Sequence, residues 1–439
     1  MRNLKSVAIV GAGFSGSLLA VQLLRRDPDV RVFLIERSGV FGRGLAYSTT
    51  CPAHLLNVRA GRMSAFPDDS GHFVRWLQAN RPELADPQGF VPRMVYGDYV
   101  QAILAEGGER LTRITGEAIA VEPRAGDALV RLADDREIAA DAVVLASGNP
   151  PPGDAGTKGL GRAERYIGDP WADGALGWIG ETDDVLLLGA GLTMIDVVLA
   201  LDARGWKGRA LALSRRGLLP RPHDPQQVHA IAWKPEATDL MGMFREVRAR
   251  MKVVGWGEAM DEIRPFNQSA WLNATEKERE RFLRHLRPWW DVHRHRTARE
   301  VGERIGALVD GARLRVASGR VELVEPVEGG LEVSWRARGM RGSRKEAFAW
   351  MVNCTGPLAD LRRSEDALLK HLFAFGIARV DPASLGLDVM DDCRVQDADG
   401  TPHERLFAIG PPTRGQFWEV VAVPEIRVQA AELAERLAG

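Results

Sequence analysis

Ser6-Val7-Ala8-Ile9-Val10-Gly11-Ala12-Gly13-Phe14-Ser15-Gly16 opens the chain with a β-branched run, a glycine turn and the first residues of an apolar helical pattern. That pattern continues through Leu18, Leu19, Val21 and Leu23, and a second apolar run, Val30 to Ile35, ends in Glu36. Strand, turn, helix, strand and a terminal acid together specify a dinucleotide-binding βαβ unit. The three glycines do different things. Gly11 permits the tight turn, Gly13 lets a pyrophosphate approach the backbone, and Gly16 lets the helix pack closely on the strand. Glu36 accepts hydrogen bonds from ribose hydroxyls. Phe14, Ser15 and Arg37 complete the expected site.

The same grammar returns at Asp184-Val185-Leu186-Leu187-Leu188-Gly189-Ala190-Gly191-Leu192-Thr193-Met194, followed by a helix through Ile195, Val198, Leu199 and Leu201. Gly189, Gly191, Leu192 and Thr193 are the expected nucleotide contacts. Met194 replaces the third glycine, so helix and strand must separate or the turn must differ. The next strand, Arg209 to Leu213, leads not to an acid but to Ser214-Arg215-Arg216-Gly217. Two guanidiniums at that place suit the 2′-phosphate that distinguishes NADPH from NADH. Two later apolar strands end alike, Asp141 to Leu145 in Ala146-Ser147-Gly148 and Ala349 to Asn353 in Cys354-Thr355-Gly356.

With these four motifs in order, the chain resembles flavoproteins that carry two dinucleotide-binding domains. The segments Gly42-Arg43-Gly44-Leu45-Ala46-Tyr47, His54-Leu55-Leu56-Asn57-Val58, Ser214-Arg215-Arg216-Gly217 and Phe417-Trp418-Glu419 resemble a bacterial family of FAD/NAD(P)-binding proteins, similar to the N-hydroxylating and Baeyer-Villiger flavin monooxygenases. The resemblance implies an α/β fold of two Rossmann-like domains, the NAD(P) domain inserted in the FAD domain. Residues 1–160 and 348–439 would form the FAD body, and 161–347 the NAD(P) domain with a helical insert at 222–300. It also implies FAD and NADPH as cofactors. The loop from Gly42 to Ser64 would wrap the flavin, with Gly44, Tyr47, Met63 and Ser64 as contacts and Asn57 as the polar group at the reactive edge. Gly410, Trp418 and Glu419 would meet the flavin from the C-terminal side.

Two departures qualify that likeness. Gly410-Pro411 stands where the group commonly has Gly-Asp, and Tyr166-Ile167-Gly168-Asp169-Pro170-Trp171-Ala172 places Ala172 where many monooxygenases carry a histidine. The expected function is an NADPH-dependent FAD monooxygenase that oxygenates an amine, sulfide or ketone of a small molecule with molecular oxygen. The competing expectations are a flavin dehydrogenase or reductase with a non-oxygen acceptor, and a flavin-binding sensor without turnover.

The insert is rich in tryptophan: Trp233, Trp256, Trp271, Trp289 and Trp290. Because the nucleotide domains are committed to cofactors, the insert is expected to supply the substrate wall, with Trp289, Trp290, His293 and Arg294 as its contacts. Thr275-Glu276-Lys277-Glu278 is a capping box that opens a helix running toward Pro288.

Composition sets the outer limits. At 439 residues the chain can bury a core in each of several domains, and 45% hydrophobic against 27% charged residues excludes a disordered or collagen-like protein. A net charge of −1 gives no field to attract nucleic acid or an anionic membrane. Cys51, Cys354 and Cys393 form no CxxC pair, which removes a dithiol centre, and His293 and His295 lack helical ligand spacing, so no metal is expected. The apolar stretch from Val7 to Leu24 imitates a signal peptide, but it is broken by glycines and lacks a cleavage site, so a cytoplasmic location is expected. The oligomeric state has no signature.

Overall fold

A computed structural model describes residues 4–154, 164–223, 233–237, 239–358 and 360–439. The opening run forms strand Ser6–Val10, which pairs in parallel with Arg31–Glu36 on one side and Ala142–Leu145 on the other. Across this six-stranded sheet the order is Arg394–Gln396, Pro402–Ala408, Ala142–Leu145, Ser6–Val10, Arg31–Glu36, Leu111–Thr115. All neighbours are parallel except the Arg394–Gln396 edge. A parallel sheet must be covered on both faces. Helix Phe14–Arg26 and the C-terminal helix Val423–Ala438 pack on one face; the other packs against the three-stranded sheet Ala118–Pro123, Ala128–Leu132, Glu137–Ala140 and helix Ala367–Ala374.

The second sheet runs Arg344–Phe348, Gly330–Ala337, Leu314–Val327, Ala210–Ser214, Val185–Leu188, Trp350–Asn353, Tyr166–Ile167. Its central strands are parallel and buried along their length, with helix Leu192–Ala203 and helix Arg299–Asp310 against one face. Met194 lies fully within that core. The extra volume in place of a third glycine is thus absorbed by packing. The fold is α/β, two Rossmann-like units with a helical insert.

The chain crosses between the sheets twice, and the two crossings lie side by side. Pro152 bridges Pro357, Leu358 N–H donates to Pro151 O (3.1 Å), and Asn353 Nδ2 donates to Gly153 O (2.9 Å). The expected 160/161 boundary lies outside the described residues. The expected 347/348 boundary requires correction: Trp350–Asn353 pairs with Val185–Leu188, so the chain leaves the second sheet only after Asn353.

Within the insert, the helices Leu240–Val254, Trp256–Ile263, Asn267–Asn273, Glu276–Arg281 and Arg287–Arg294 surround a core of Met243, Met260, Trp271, Phe282 and Trp290. The capping box at Thr275 is formed: Glu278 Oε2 accepts from Thr275 N–H at 2.9 Å, and Thr275 Oγ1 from Glu278 N–H at 3.4 Å. Pro288 neither ends nor breaks the path. A π-helical turn over Phe282–Leu286 resets the register, so the proline enters in the first turn of the next helix, where its missing amide costs nothing.

A buried ion pair helps tie the two bodies together. Arg93 donates to both carboxylate oxygens of Asp196 at 2.7 and 3.1 Å, and its Nε holds Leu55 O at 3.1 Å. Asp196 stands on helix Leu192–Ala203, whereas Arg93 begins helix Arg93–Ala105 of the first body. Removing one partner of such a pair strands a buried charge. Arg93→Ala is therefore expected to lower stability by about 3–5 kcal/mol, read by denaturant unfolding, and an unchanged midpoint would show that the pair carries no tertiary load.

Candidate nucleotide and substrate sites

Both fingerprints sit at the carboxyl ends of parallel strands, and both use one backbone device. Gly11 has φ +103°, and a Cβ there would lie 2.4 Å from Ala146 O. Gly189 has φ +123°, and a Cβ there would lie 2.3 Å from Cys354 O. Each first glycine is thus pressed against the end of the neighbouring small-residue strand, which explains why Ala146 and Cys354 recur after apolar runs. Gly16 is tighter still, its Cβ position 1.9 Å from Gly11 O.

The second glycines differ, because their free side faces outward. A Cβ on Gly13 would meet only Gly44 Cα at 3.4 Å, and one on Gly191 would meet nothing within 4 Å. They are the N-caps of helices Phe14–Arg26 and Leu192–Ala203, with no side-chain cap and no acid in either first turn. The positive helix ends and their amides are left to an incoming phosphate. Leu192 and Thr193, both half-buried, form the first turn of the second helix.

Glu36 ends its strand as expected; its Oε2 accepts from Ala12 N–H (2.9 Å) and its Oε1 from Ser38 N–H (3.1 Å). The neighbouring Arg37 is exposed and pairs with Asp366 at 3.8 Å. Ser214 occupies the equivalent end of the second unit, its Oγ accepting from Gly217 N–H at 2.9 Å. Arg215 is exposed and Arg216 half-buried, and neither guanidinium has an ion pair among the described residues. Ser147, Gly148 (φ +70°) and Gly356 (φ +85°) form open turns beyond the two small-residue strands.

The loop expected to wrap the flavin is held at several points. Gly44, at φ +54°, backs onto Gly13, where a Cβ would come within 2.7 Å of Gly13 Cα. Tyr47 is buried against Phe14 and Tyr96, and burial pushes its phenol well above the ordinary value. Met63 and Ser64 are buried; Tyr96 Oη donates to Met63 O (2.9 Å), and Ser64 Oγ donates to Asp69 O (2.5 Å). These four residues thus shape the loop. Asn57 is half-buried, and its carbonyl meets His223 Nε2 of the second body at 2.9 Å. His223, pushed down to about 4 by burial, reaches Asn57 as a neutral ring.

Near the same joint, His54 lies between Thr49 Oγ1 (2.7 Å) and Asp196 O (2.8 Å). Burial opposes charge on both Cys51 and His54. The attraction between the two groups, the Asp196 charge beside His54 and nearby backbone groups together outweigh it, lowering the thiol and raising the imidazole.

Gly410 reaches the first fingerprint from the far end of the chain. Its φ is +77°, a Cβ would lie 2.3 Å from Ser15 Oγ, and its N–H donates to Gln429 Oε1 (2.9 Å). Trp418 and Glu419 meet residues of the insert. Trp418 stacks on Trp271 (4.5 Å, 24°), and Glu419 takes Trp290 Nε1 at 3.2 Å and Arg294 Nε at 2.8 Å. Both thereby dock the insert onto the C-terminal segment.

The residues expected as the substrate wall differ in their surroundings. Trp289 is exposed, Trp290 belongs to the insert core, His293 lies against Trp256 with Nδ1 on Trp289 O (2.7 Å), and Arg294 is buried on Glu419. The four share one helix, and Trp290 also lines an apolar cleft with Met243, Trp271, Phe282 and Trp418. Sequence reasoning missed Arg93 and Asp196. Asp196 carried a signal, as a lone acid in the apolar helix Ile195 to Leu199.

Residues 8–150 match a protein-family model described as FAD-NAD(P)-binding. Nitrosuccinic acid synthase of Aspergillus oryzae is 37% identical over 90 residues, a match spanning 19% of this chain and only 14% of that protein. Among solved structures, the reduced form of ornithine hydroxylase from Pseudomonas aeruginosa aligns over 99% of each chain at 18% identity and TM-score 0.69. L-lysine 6-monooxygenase from Pseudomonas syringae does so over 99% of each chain at 16% identity and TM-score 0.68. The fold is therefore that of flavoproteins with two dinucleotide-binding domains.

The glycine geometry separates folding from ligand binding. Gly13→Ala is expected to fold, since only Gly44 Cα is near, but to purify with little flavin because its methyl group stands where pyrophosphate approaches. Gly16→Ala, driven into Gly11 O, is expected to misfold. Absorbance of the bound flavin and circular dichroism test both; a fully flavin-loaded Gly13→Ala protein would move the cofactor elsewhere.

Proposed function

We propose that this protein is an NADPH-dependent FAD monooxygenase acting on a small molecule, with molecular oxygen as co-substrate. The observation that carries the reading is the pair of open, uncapped fingerprints, one followed by an acid and the other by two guanidiniums without an ion pair among the described residues. FAD fits the first, where Gly13 leaves room for pyrophosphate and Glu36 awaits ribose. NADPH fits the second, where Gly191 is open and Arg215 and Arg216 are free for the 2′-phosphate.

FAD, when bound, supplies the redox chemistry: it takes hydride from NADPH and passes the electrons to oxygen, leaving one oxygen atom on the substrate and the other in water. The chain's own part is to hold and orient. Arg93 and Asp196 fix the second body against the first, and Asn57, held by His223 at this joint, is the side chain we place at the flavin's reactive edge. Whole-chain likeness to amine hydroxylases supports an amine, sulfide or ketone as the oxygenated group. We further read residues 1–160 and 354–439 as the FAD body. Among the described residues no helix is long and apolar enough to cross a membrane. The cytoplasm is the compartment we propose.

The deciding experiment is anaerobic reduction of the flavin by NADPH, followed by air and a candidate substrate. A product heavier by one oxygen atom, labelled from ¹⁸O₂, is expected; oxidised product without the label would point to a dehydrogenase. Arg215→Ala and Arg216→Ala are each expected to weaken NADPH about tenfold to a hundredfold while leaving NADH nearly untouched. Dissociation constants from flavin-reduction kinetics test this, and an unchanged NADPH to NADH ratio would sink the assignment.

A further inference from the structure

Ser15 lies in the first turn of helix Phe14–Arg26, ahead of the bond that Ser17 N–H makes to Gly13 O at 3.0 Å. The amides of that opening turn are the ones left for a pyrophosphate. The turn Gly410–Thr413 stands beside them, with Gly410 so close to Ser15 that any side chain there would strike its Oγ. A turn in this place is well set to donate to the cofactor, yet it has no N–H to give. Gly410 N–H goes to Gln429 Oε1 (2.9 Å), Pro411 and Pro412 carry no N–H, and Thr413 N–H goes to Gly410 O (2.9 Å).

What closes the turn is a side chain from the C-terminal helix. Gln429 is buried on helix Val423–Ala438. Only its carbonyl oxygen can accept from Gly410 N–H, so Nε2 faces the other way and donates to Thr413 Oγ1 at 3.0 Å. Thr413 Oγ1 then donates to Gly410 O at 2.8 Å. The ring of bonds begins and ends on Gly410, and each polar group in it has one orientation. Nε2 also lies 3.7 Å from Cys393 Sγ. Gly410, Thr413 and Gln429 are all buried, so a bond lost here is not replaced by one to solvent.

We propose that Gln429 is a positioning residue for FAD, setting the Gly410–Thr413 turn against Ser15 so that the turn confines the pyrophosphate by shape while the helix amides supply the donors. Gln429 acts through Gly410 and Thr413, not by contact with the cofactor. A wall that donates nothing holds a ligand only while its own place is fixed, and the ring of bonds through Gln429 fixes it. Without that ring the turn can draw back from Ser15 and admit water beside the phosphates, which weakens their bonds to the helix amides. The inference rests on placing FAD at the first fingerprint.

Dilution of the flavin-loaded protein, followed by the fluorescence of released flavin, gives the FAD dissociation constant, and binding of NADP+ to the same protein reports on the second fingerprint. Gln429→Met, similar in length but without the amide, is expected to raise the FAD dissociation constant about tenfold and to leave that of NADP+ unchanged. Thr413→Val keeps the shape and loses the hydroxyl, and is expected to weaken FAD in the same direction. Thr413→Ser keeps the hydroxyl and is expected to bind FAD as the unaltered protein does. If Gln429→Met does not fold, the two Thr413 variants carry the test. A lowered Tm with FAD affinity unchanged would overturn the proposal, as would FAD and NADP+ weakened alike, or equal behaviour of the valine and serine variants. Gly13→Ala keeps the two readings apart. If it retains its flavin, FAD is not at the first fingerprint and the proposal falls with that placement; if it loses flavin while Gln429→Met binds normally, the proposal alone falls.

Discussion

A carbonyl oxygen of one strand occupies the space that a side chain would need at the first glycine of each fingerprint. Ala146 O fills it beside Gly11, and Cys354 O beside Gly189. Everything else about the nucleotide sites depends on this close approach. With neighbouring strand ends drawn together, the glycine turn emerges at positive φ, the helix begins at once, and its first amides point outward rather than into the protein. The repetition at two places far apart in the chain shows that the device is backbone geometry, indifferent to whether the third position is Gly16 or Met194.

Two such units make an enzyme of this kind only if they are held in one arrangement. Here the joint is polar and buried: Arg93 reaches from the first body to Asp196, His54 meets the Asp196 carbonyl, and His223 of the second body meets Asn57. Paired hydrogen bonds to a carboxylate fix distance and orientation together, which apolar packing alone does not do. Such a joint resists the sliding that reorients domains, and it suits chemistry in which hydride donor and acceptor must meet at a fixed separation.

The fold was legible because its signals are local. A βαβ unit is written in some thirty consecutive residues, the capping box in four, and the apolar strands in runs that only a sheet covered on both faces demands. The site was legible only where the same locality held. Gly13, Gly191, Glu36 and the Arg215-Arg216 turn stand where the pattern placed them. The constraints on Gly44 and Gly410 come from partners distant in sequence, Gly13 and Ser15, which no spacing reveals. The contacts of Trp418, Glu419 and Arg294 were hidden for the same reason. Residue type announced an aromatic, an acid and a cation, but their partners lie more than a hundred positions away and satisfy one another.

That mutual satisfaction gives the insert its character. Glu419 takes both Arg294 and Trp290, Glu425 takes Arg264, and Trp271 Nε1 donates to Gly415 O at 2.8 Å, so the insert is bolted to the turn that follows Gly410. The turn in turn presses Gly410 onto Ser15, at the mouth of the first fingerprint. A side chain in the insert can therefore act on whatever the first fingerprint holds through a short, rigid path, without touching it. Charge that is balanced within this path serves rigidity.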